Sequence, residues 1–309
     1  MQSETVMSEI ANRIADLKKQ RNAIILAHTY QPGDVQDIAD FVGDSYGLSV
    51  KAAETDADLI VFCGVTFMAE TAAILSPSKK VILPEPDAGC PMADMISAEE
   101  LAELREQHQG YLVLCYVNST AEVKALSDIC VTSSNALAIV KQIPEEQGLI
   151  FVPDRHLGSW IQERTGREMV LWDGLCPTHV RIRPDMIADA KLKHPMAPVL
   201  IHPEAPRECR DMSDAVLSTG QMCAYVKEVD DTEFIIATEE GIIHTLHKQN
   251  PGKVFYPAGA EIVCPNMKKG SLQSTLHALE GSGGVVVTVD TAIAEKAIGS
   301  LRRMLEMSA

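Results

Sequence analysis

Three of the eight cysteines in this 309-residue chain are followed directly by proline: Cys90-Pro91, Cys176-Pro177 and Cys264-Pro265. Proline makes up roughly 5% of average sequences, so fewer than one such pair is expected by chance. The pairs stand 86 and 88 residues apart (176 − 90 and 264 − 176). A thiolate is a soft metal ligand. One cysteine per nearly equal interval reads as three ligands, each delivered by an equivalent unit. Cys176 also has His179 three residues on, a local pair of metal-ligand type.

The same interval returns at other residues able to do chemistry. His28, Tyr116 and His202 fall in one register, and Tyr30, Asn118 and Glu204 follow two residues later. Asp40, Asp128 and Asp214 form a third set, and Ser45, Ser133 and Thr219 a fourth. Four further sets at 86 or 88 residues define a triplicated chain. A histidine at a strand end can move protons near neutral pH, which makes His28 and His202 candidates beside Tyr30 and Glu204. Each hydroxyl of the fourth set precedes a helical stretch. There it either caps the helix or joins the helix N-terminus in holding an anion.

Each repeat shows the same alternation of elements. Buried-type strands "NAIILAH", "YLVLCYV" and "PVLIHPE" come first, then "DLIVFCG", "GLIFVPD" and "EFIIATE", then "KVILPEP", "EMVLWDG" and "KVFYPAG", with helical stretches between them. Short apolar strands alternating with helices predict parallel sheets covered on both faces. The expected fold is therefore α/β: three homologous αβα three-layer domains, related by pseudo-three-fold symmetry, with the site at the centre. Boundaries are expected at 1–86, 87–172 and 173–282. In the tail, "SLQSTLHALE" reads as a helix and "GGVVVTV" as a strand. Residues 283–309, that strand and a last helix, are expected to pack back on the first repeat. At i, i+2 spacing on a strand, each polar pair would point to one side, at the carboxyl ends where α/β sheets bind ligands.

Composition narrows the function. The net charge of −16 argues against nucleic acid, which is held by dense Lys and Arg. No apolar run reaches the ~18 residues of a membrane span, and the N-terminus lacks a signal-peptide pattern, so a cytoplasmic enzyme with no membrane partner is expected. Three thiolates suit a [4Fe–4S] cluster with one iron left open to act as a Lewis acid. A Cys₃ or Cys₃His zinc site is the rival, and a metal-free chain is the remaining option. The clustered cysteine runs of a ferredoxin are missing. Cys63, Cys115, Cys130, Cys209 and Cys223 lie outside the register and read as structural. Lys268 and Lys269 read as solvated, and "QPGDVQD", after Tyr30, as a candidate lid.

The segments "AHTYQ", "GDSYGLS", "GCPMADM", "YVNSTAEVKA", "TSSNA", "GLCPTH", "IHPE", "STG" and "CPNMKK", in that order and spacing, closely resemble the quinolinate synthase family over essentially the full chain. The resemblance implies three αβα domains and a [4Fe–4S] cluster on Cys90, Cys176 and Cys264. It implies condensation of iminoaspartate with dihydroxyacetone phosphate to quinolinate, with loss of phosphate and two waters, as a step of NAD biosynthesis. It places His28, Tyr30, Tyr116, His202 and Glu204 in catalysis. It assigns substrate binding to His28, Ser45, Tyr116, Asn118, Ser133, His179, His202, Glu204 and Thr219. A transient contact with the enzyme supplying iminoaspartate is a further implied partner. Longer members carry a CxxCxxC run ending at the third ligand. Here those places hold Ala258 and Glu261, so no redox switch is expected there. Two other readings stay open: an iron–sulfur hydro-lyase on another hydroxy acid, and an anion-binding cluster protein without turnover.

Overall fold

The computed structural model describes residues 2–260 and 262–308; Glu261 lies outside the described residues. The chain forms two compact units, Met1–Cys90 with Cys264–Thr291, and Pro91–Val263 with Ala292–Ala309. The first repeat runs α1 (Gln2–Gln20), β1 (Ala23–His28), α2 (Gly33–Ile38), β2 (Phe41–Gly43), α3 (Ser45–Glu54), β3 (Leu59–Cys63), α4 (Thr66–Leu75) and β4 (Lys80–Leu83). The second runs α5 (Ala98–Gln107), β5 (Leu112–Tyr116), α6 (Ala121–Ala125), β6 (Ile129–Val131), α7 (Ala136–Gln142), β7 (Leu149–Val152), α8 (Arg155–Thr165) and β8 (Val170–Leu171). The third, after a 3-10 turn at His179–Arg181, runs α9 (Pro184–Lys193), β9 (Val199–Ile201), α10 (Arg207–Arg210), β10 (Ala215–Val216), α11 (Thr219–Glu228), β11 (Glu233–Ala237), α12 (Ile242–Gln249) and β12 (Val254–Pro257). The tail adds α13 (Leu272–Glu280), β13 (Val285–Val286) and α14 (Thr291–Met307).

Three separate sheets result, with strand orders β2-β1-β3-β4, β6-β5-β7-β8 and β10-β9-β11-β12, every pair within these orders parallel. The fold is α/β. Both faces of each sheet are buried, which explains strands that read as continuous apolar runs. In the first sheet Ile25, Ala27 and Val61 pack with Ile14 of α1 and Leu276 of α13, while Leu26, Ile60 and Phe62 are buried by alternation on the other face.

Each sheet has four repeat strands where the sequence suggested three. The added strands β2, β6 and β10 are two or three residues long, too short to show periodicity. The recurring aspartates mark them. Asp40, Asp128 and Asp214 each accept the backbone N–H of Ile25, Val113 and Val199 at 2.8, 2.8 and 2.7 Å. Each also donates its own N–H to the carbonyl of that residue. A cation from the preceding helix sits on every one: Lys18 at 2.7 Å, Arg105 at 2.9 Å and Lys191 at 3.2 Å. The aspartate thus starts the ladder between the first strand and its short neighbour.

The tail corrects one expectation. β13 pairs antiparallel with β4 at the edge of the first sheet, and α13 packs on α1 in the same core. The last helix goes elsewhere: α14 docks on the second repeat. Ser300 Oγ donates to Lys124 O at 2.9 Å and accepts from the Cys130 thiol at 3.3 Å. Asn135 Nδ2 reaches Ser308 Oγ at 3.0 Å. Ala297, Ser300, Leu301 and Met304 make one buried helical stripe, and the small Ala297 and Ser300 allow close approach to that surface.

Candidate active site

Of the polar pairs, only His28 and Tyr116 lie on a strand, each as its last residue, and this corrects the expected i, i+2 strand geometry. β1 ends at His28, β5 at Tyr116 and β9 at Ile201, and the chain then turns. In the first repeat Gln31 N–H closes onto His28 O at 2.9 Å, and Tyr30 N–H is taken by His28 Nδ1 at 3.1 Å. The third repeat does the same: Ala205 N–H meets His202 O at 3.0 Å, and Glu204 N–H meets His202 Nδ1 at 3.3 Å. The imidazole competes for the next backbone donor, so the ladder cannot continue. Accepting at Nδ1 leaves the hydrogen of a neutral ring on Nε2. In the second repeat Ser119 Oγ closes the turn onto Tyr116 O at 2.9 Å.

Within the second unit these turns bring together a buried acid–base cluster. Tyr116 Oη donates to Glu204 Oε1 at 2.5 Å, and His179 Nδ1 donates to Glu204 Oε2 at 2.7 Å. His179 Nε2 lies 2.7 Å from Thr238 Oγ1, and its ring stacks on His202 with centroids 4.6 Å apart. His202 Nε2 lies 3.2 Å from Ser133 Oγ. Burial alone would raise the Glu204 carboxyl, but His179 and His202 and the two hydrogen bonds hold it well below the usual carboxylate range. Burial first, and then the Glu204 charge, push the Tyr116 phenol far up, so it stays a donor. Asn118 Oδ1 is buried without a hydrogen-bond partner, so it remains open to a ligand donor.

Cys176 joins this cluster. Its Sγ lies 3.2 Å from His179 Nδ1, and the ligand atoms of Cys176, His179 and Glu204 fall within 4.8 Å of one another, a group able to hold a metal. The loop that carries Cys176 is laid against the end of β7. Arg155 N–H bonds Gly174 O at 2.9 Å, and Gly174 bridges to Asp154. A Cβ on Gly174 would come within 2.4 Å of Pro153 O, so this close approach requires glycine.

The first unit holds the other predicted groups. His28 and Tyr30 are buried, with their rings edge-on at 4.5 Å. The Cys264 loop is stapled to the turn that carries them: Gln31 Nε2 donates to Met267 O at 2.8 Å and Lys268 Nζ to Tyr30 O at 2.6 Å. Lys269 Nζ donates to Asp87 O at 2.5 Å, in the loop leading to Cys90. Both lysines reach backbone carbonyls; Lys268 is half-buried, while Lys269 stays exposed, as the sequence suggested. The segment after Tyr30 is pinned too, since Gln36 Nε2 donates to Thr29 O and Gln31 O.

The hydroxyls of the fourth set are not helix caps. Asp44 caps α3 by accepting from Gly47 N–H, and Ser218 caps α11 in a capping box with Gln221. Asn135 holds the N-cap position of α7. Ser45 and Thr219 are first helical residues, and Ser133 stands two residues before Asn135. In the second unit Ser134 Oγ and Ser218 Oγ meet at 2.9 Å, joining the N-terminal ends of α7 and α11.

Among the cysteines outside the register, Cys63, Cys115, Cys130 and Cys209 are buried and Cys223 is half-exposed, as are Cys90, Cys176 and Cys264. Burial pushes the Cys63 thiol up to about 12 and the Cys209 thiol to about 11. Sequence reasoning missed Thr238 and Asp154. Both follow the third-drawn strand of their sheet, β11 and β7. In the order 2-1-3-4 the switch point lies between the first and third strands, so knowledge of the short strands would have exposed them. Among the described residues no helix is long and apolar enough to cross a membrane.

The family described as "Quinolinate synthetase A protein" matches residues 12–306. The chain is 53% identical over 298 residues to the quinolinate synthase of Dehalococcoides mccartyi (strain CBDB1), covering 96% of this chain and 98% of that protein. It is 48% identical over 303 residues to the quinolinate synthase of Thermodesulfovibrio yellowstonii and 46% identical over 303 residues to that of Caldicellulosiruptor saccharolyticus, with 98% of this chain and 99% of the relative covered in each case. With nearly every residue matched and a buried acid–base cluster beside a metal-ligand group, the chain belongs to the quinolinate synthetase A family of enzymes.

Proposed function

We propose that this enzyme condenses iminoaspartate with dihydroxyacetone phosphate to give quinolinate, phosphate and two waters. The observation that carries the reading is the buried set of Glu204, Tyr116, His179 and His202 beside Cys176. The atoms of this conversion balance without an oxidant, so the site needs acid–base and Lewis-acid groups rather than a redox partner. Cys90, Cys176 and Cys264 would hold a [4Fe–4S] cluster. They fit it as donors, being half-exposed and placed alike after the fourth strand of each repeat, a placement that the half-exposed Cys223, on α11, lacks. Bound there, the cluster supplies an iron without a protein thiolate, a Lewis acid for a substrate oxygen.

The chain's own groups do the rest. Glu204, charged and acceptor-only, takes a proton as the carbon nucleophile forms. Tyr116 and His179, already bonded to that carboxylate, orient it and favour its charged form. His202 Nε2–H, with Ser133, donates toward a leaving or carboxylate oxygen. Asn118 Oδ1 accepts from the imine nitrogen. His28 and Tyr30 serve the same ends for the first repeat. Ser45, Ser133 and Thr219 hold phosphate and carboxylates at helix N-termini, which a chain of net charge −16 requires locally.

The ligand group Cys176, His179 and Glu204 also favours a second reading, a single zinc ion on those three. Iron and acid-labile sulfide, measured on protein purified without oxygen, separate the two. About four of each per chain, lost in Cys90→Ala, Cys176→Ala and Cys264→Ala alike, supports the cluster. Zinc that survives Cys90→Ala and Cys264→Ala supports the second reading and removes the first. Glu204→Gln should keep the iron and sulfide and lose quinolinate formation; retained turnover would overturn its role as base.

A further inference from the structure

Arg210, on α10, is a cation with 4% of its surface exposed. Burying a guanidinium is costly unless its donors are used. Nη1 donates to Ala205 O at 2.6 Å and reaches His156 O at 3.3 Å and Pro203 O at 3.4 Å. Nη2 donates to Ser159 Oγ at 3.2 Å and to Glu163 at 3.1 Å. Pro203 and Ala205 flank Glu204, so this side chain grips the turn on either side of the carboxylate.

The same position recurs in the other repeats under different residue types. Lys124 stands 86 residues earlier (210 − 124), and Gln36 a further 88 (124 − 36). Lys124 Nζ donates to Ser119 O at 2.5 Å, and Gln36 Nε2 donates to Gln31 O at 2.8 Å and Thr29 O at 2.9 Å. Gln31, Ser119 and Ala205 are themselves one register apart, as are Thr29 and Pro203. All three donors are buried, at 3%, 0% and 4% exposure.

We infer that Gln36, Lys124 and Arg210 are one repeated positioning residue, each fixing the turn that presents its repeat's two site side chains. Arg210 sets the direction of Glu204, the group proposed above as the base. The backbone carbonyls do not titrate, so what the donor controls is where the side chain between them points. Tolerance of amide, ammonium and guanidinium follows, because each needs only one well-placed donor. This inference rests on the synthase reading for its catalytic consequence and on the structure alone for its mechanical one.

The test uses the intact, cluster-loaded enzyme with Arg210→Met, Arg210→Lys and, as a control at the far end of the guanidinium, Glu163→Gln. Amide hydrogen exchange at Glu204 and Ala205 should rise at least tenfold in Arg210→Met and return to near wild type in Arg210→Lys. Turnover should fall at least tenfold in Arg210→Met with KM within threefold, and be restored by lysine. Glu163→Gln should change neither. Unaltered exchange in Arg210→Met, failure of lysine to restore, or a Glu163→Gln variant that behaves like Arg210→Met would overturn the proposal. So would cooperative unfolding of Arg210→Met, which marks a purely structural residue. If wild type makes no quinolinate, the synthase reading fails, while the exchange data still decide for or against Arg210.

Discussion

Asp154 is fully buried at the end of β7, with Oδ1 spent on the Leu157 N–H that starts α8 and Oδ2 left without a partner. Burial, then the charge on Glu204, drive its carboxyl well above the ordinary range. A carboxyl whose folded value lies above its unfolded value of ~3.9 takes up a proton on folding, so it costs stability at neutral pH and less as pH falls. Asp154→Asn keeps an acceptor for Leu157 and removes the charge. It should melt above wild type at pH 8, with the gap closing toward pH 4. Equal melting at pH 8, or a gap that widens on acidification, would contradict this account. Glu204 shows the opposite sign because two imidazoles and a phenol face it. The two buried carboxyls are thereby shifted in opposite directions. Glu204 was legible in the sequence because it shares a register with Tyr30 and Asn118. Asp154 was not, since no equivalent acid stands in the first repeat, where Gly64 ends the matching strand segment.

At the scale of elements, the helix starts separate capping from binding. Ser218 accepts Gln221 N–H at 3.2 Å while its own N–H meets Gln221 Oε1 at 2.9 Å. Ser218→Ala should cost about 1 kcal/mol, read as a lower denaturant midpoint with an unchanged slope. A midpoint equal to wild type would mean that the cap is redundant with Ser134. The neighbouring hydroxyl of Thr219 is thus not needed as the cap. In the sequence the two serve the helix start equally well, and only the structure assigns them. The long strands were legible because apolar residues run four to six in a row. The short strands β2, β6 and β10 were not, although the aspartates that start them had been recognised as a repeat. Gln36, Lys124 and Arg210 were hidden for a different reason: what they share is a bond to the carbonyls of a turn, which only the structure shows.

At the scale of the molecule, the first unit is discontinuous. Its core combines Ile14, Leu17, Ile25 and Val61 with Leu272, Leu276 and Leu279, and its sheet edge is β13. A chain ending at residue 263 should therefore lose cooperative unfolding of the first unit, seen as unprotected amides in β1 and β3. Native-like protection there would show that α13 and β13 are dispensable. The sequence suggested a tail returning to the first repeat, and for β13 it does. It gave no means to see α14 leave for the second, since an amphipathic stripe says what a helix buries but not against which neighbour.

That discontinuity sets an order of events in the cell. Domains ordinarily fold as they leave the ribosome, N-terminal first. Here β1 to β4 are synthesised first, yet must wait until α13 and β13 have emerged. Meanwhile the face that α13 covers, Ile25 and Val61 among its residues, has α1 in place but not α13. The oldest part of the nascent chain is thus among the last to be finished.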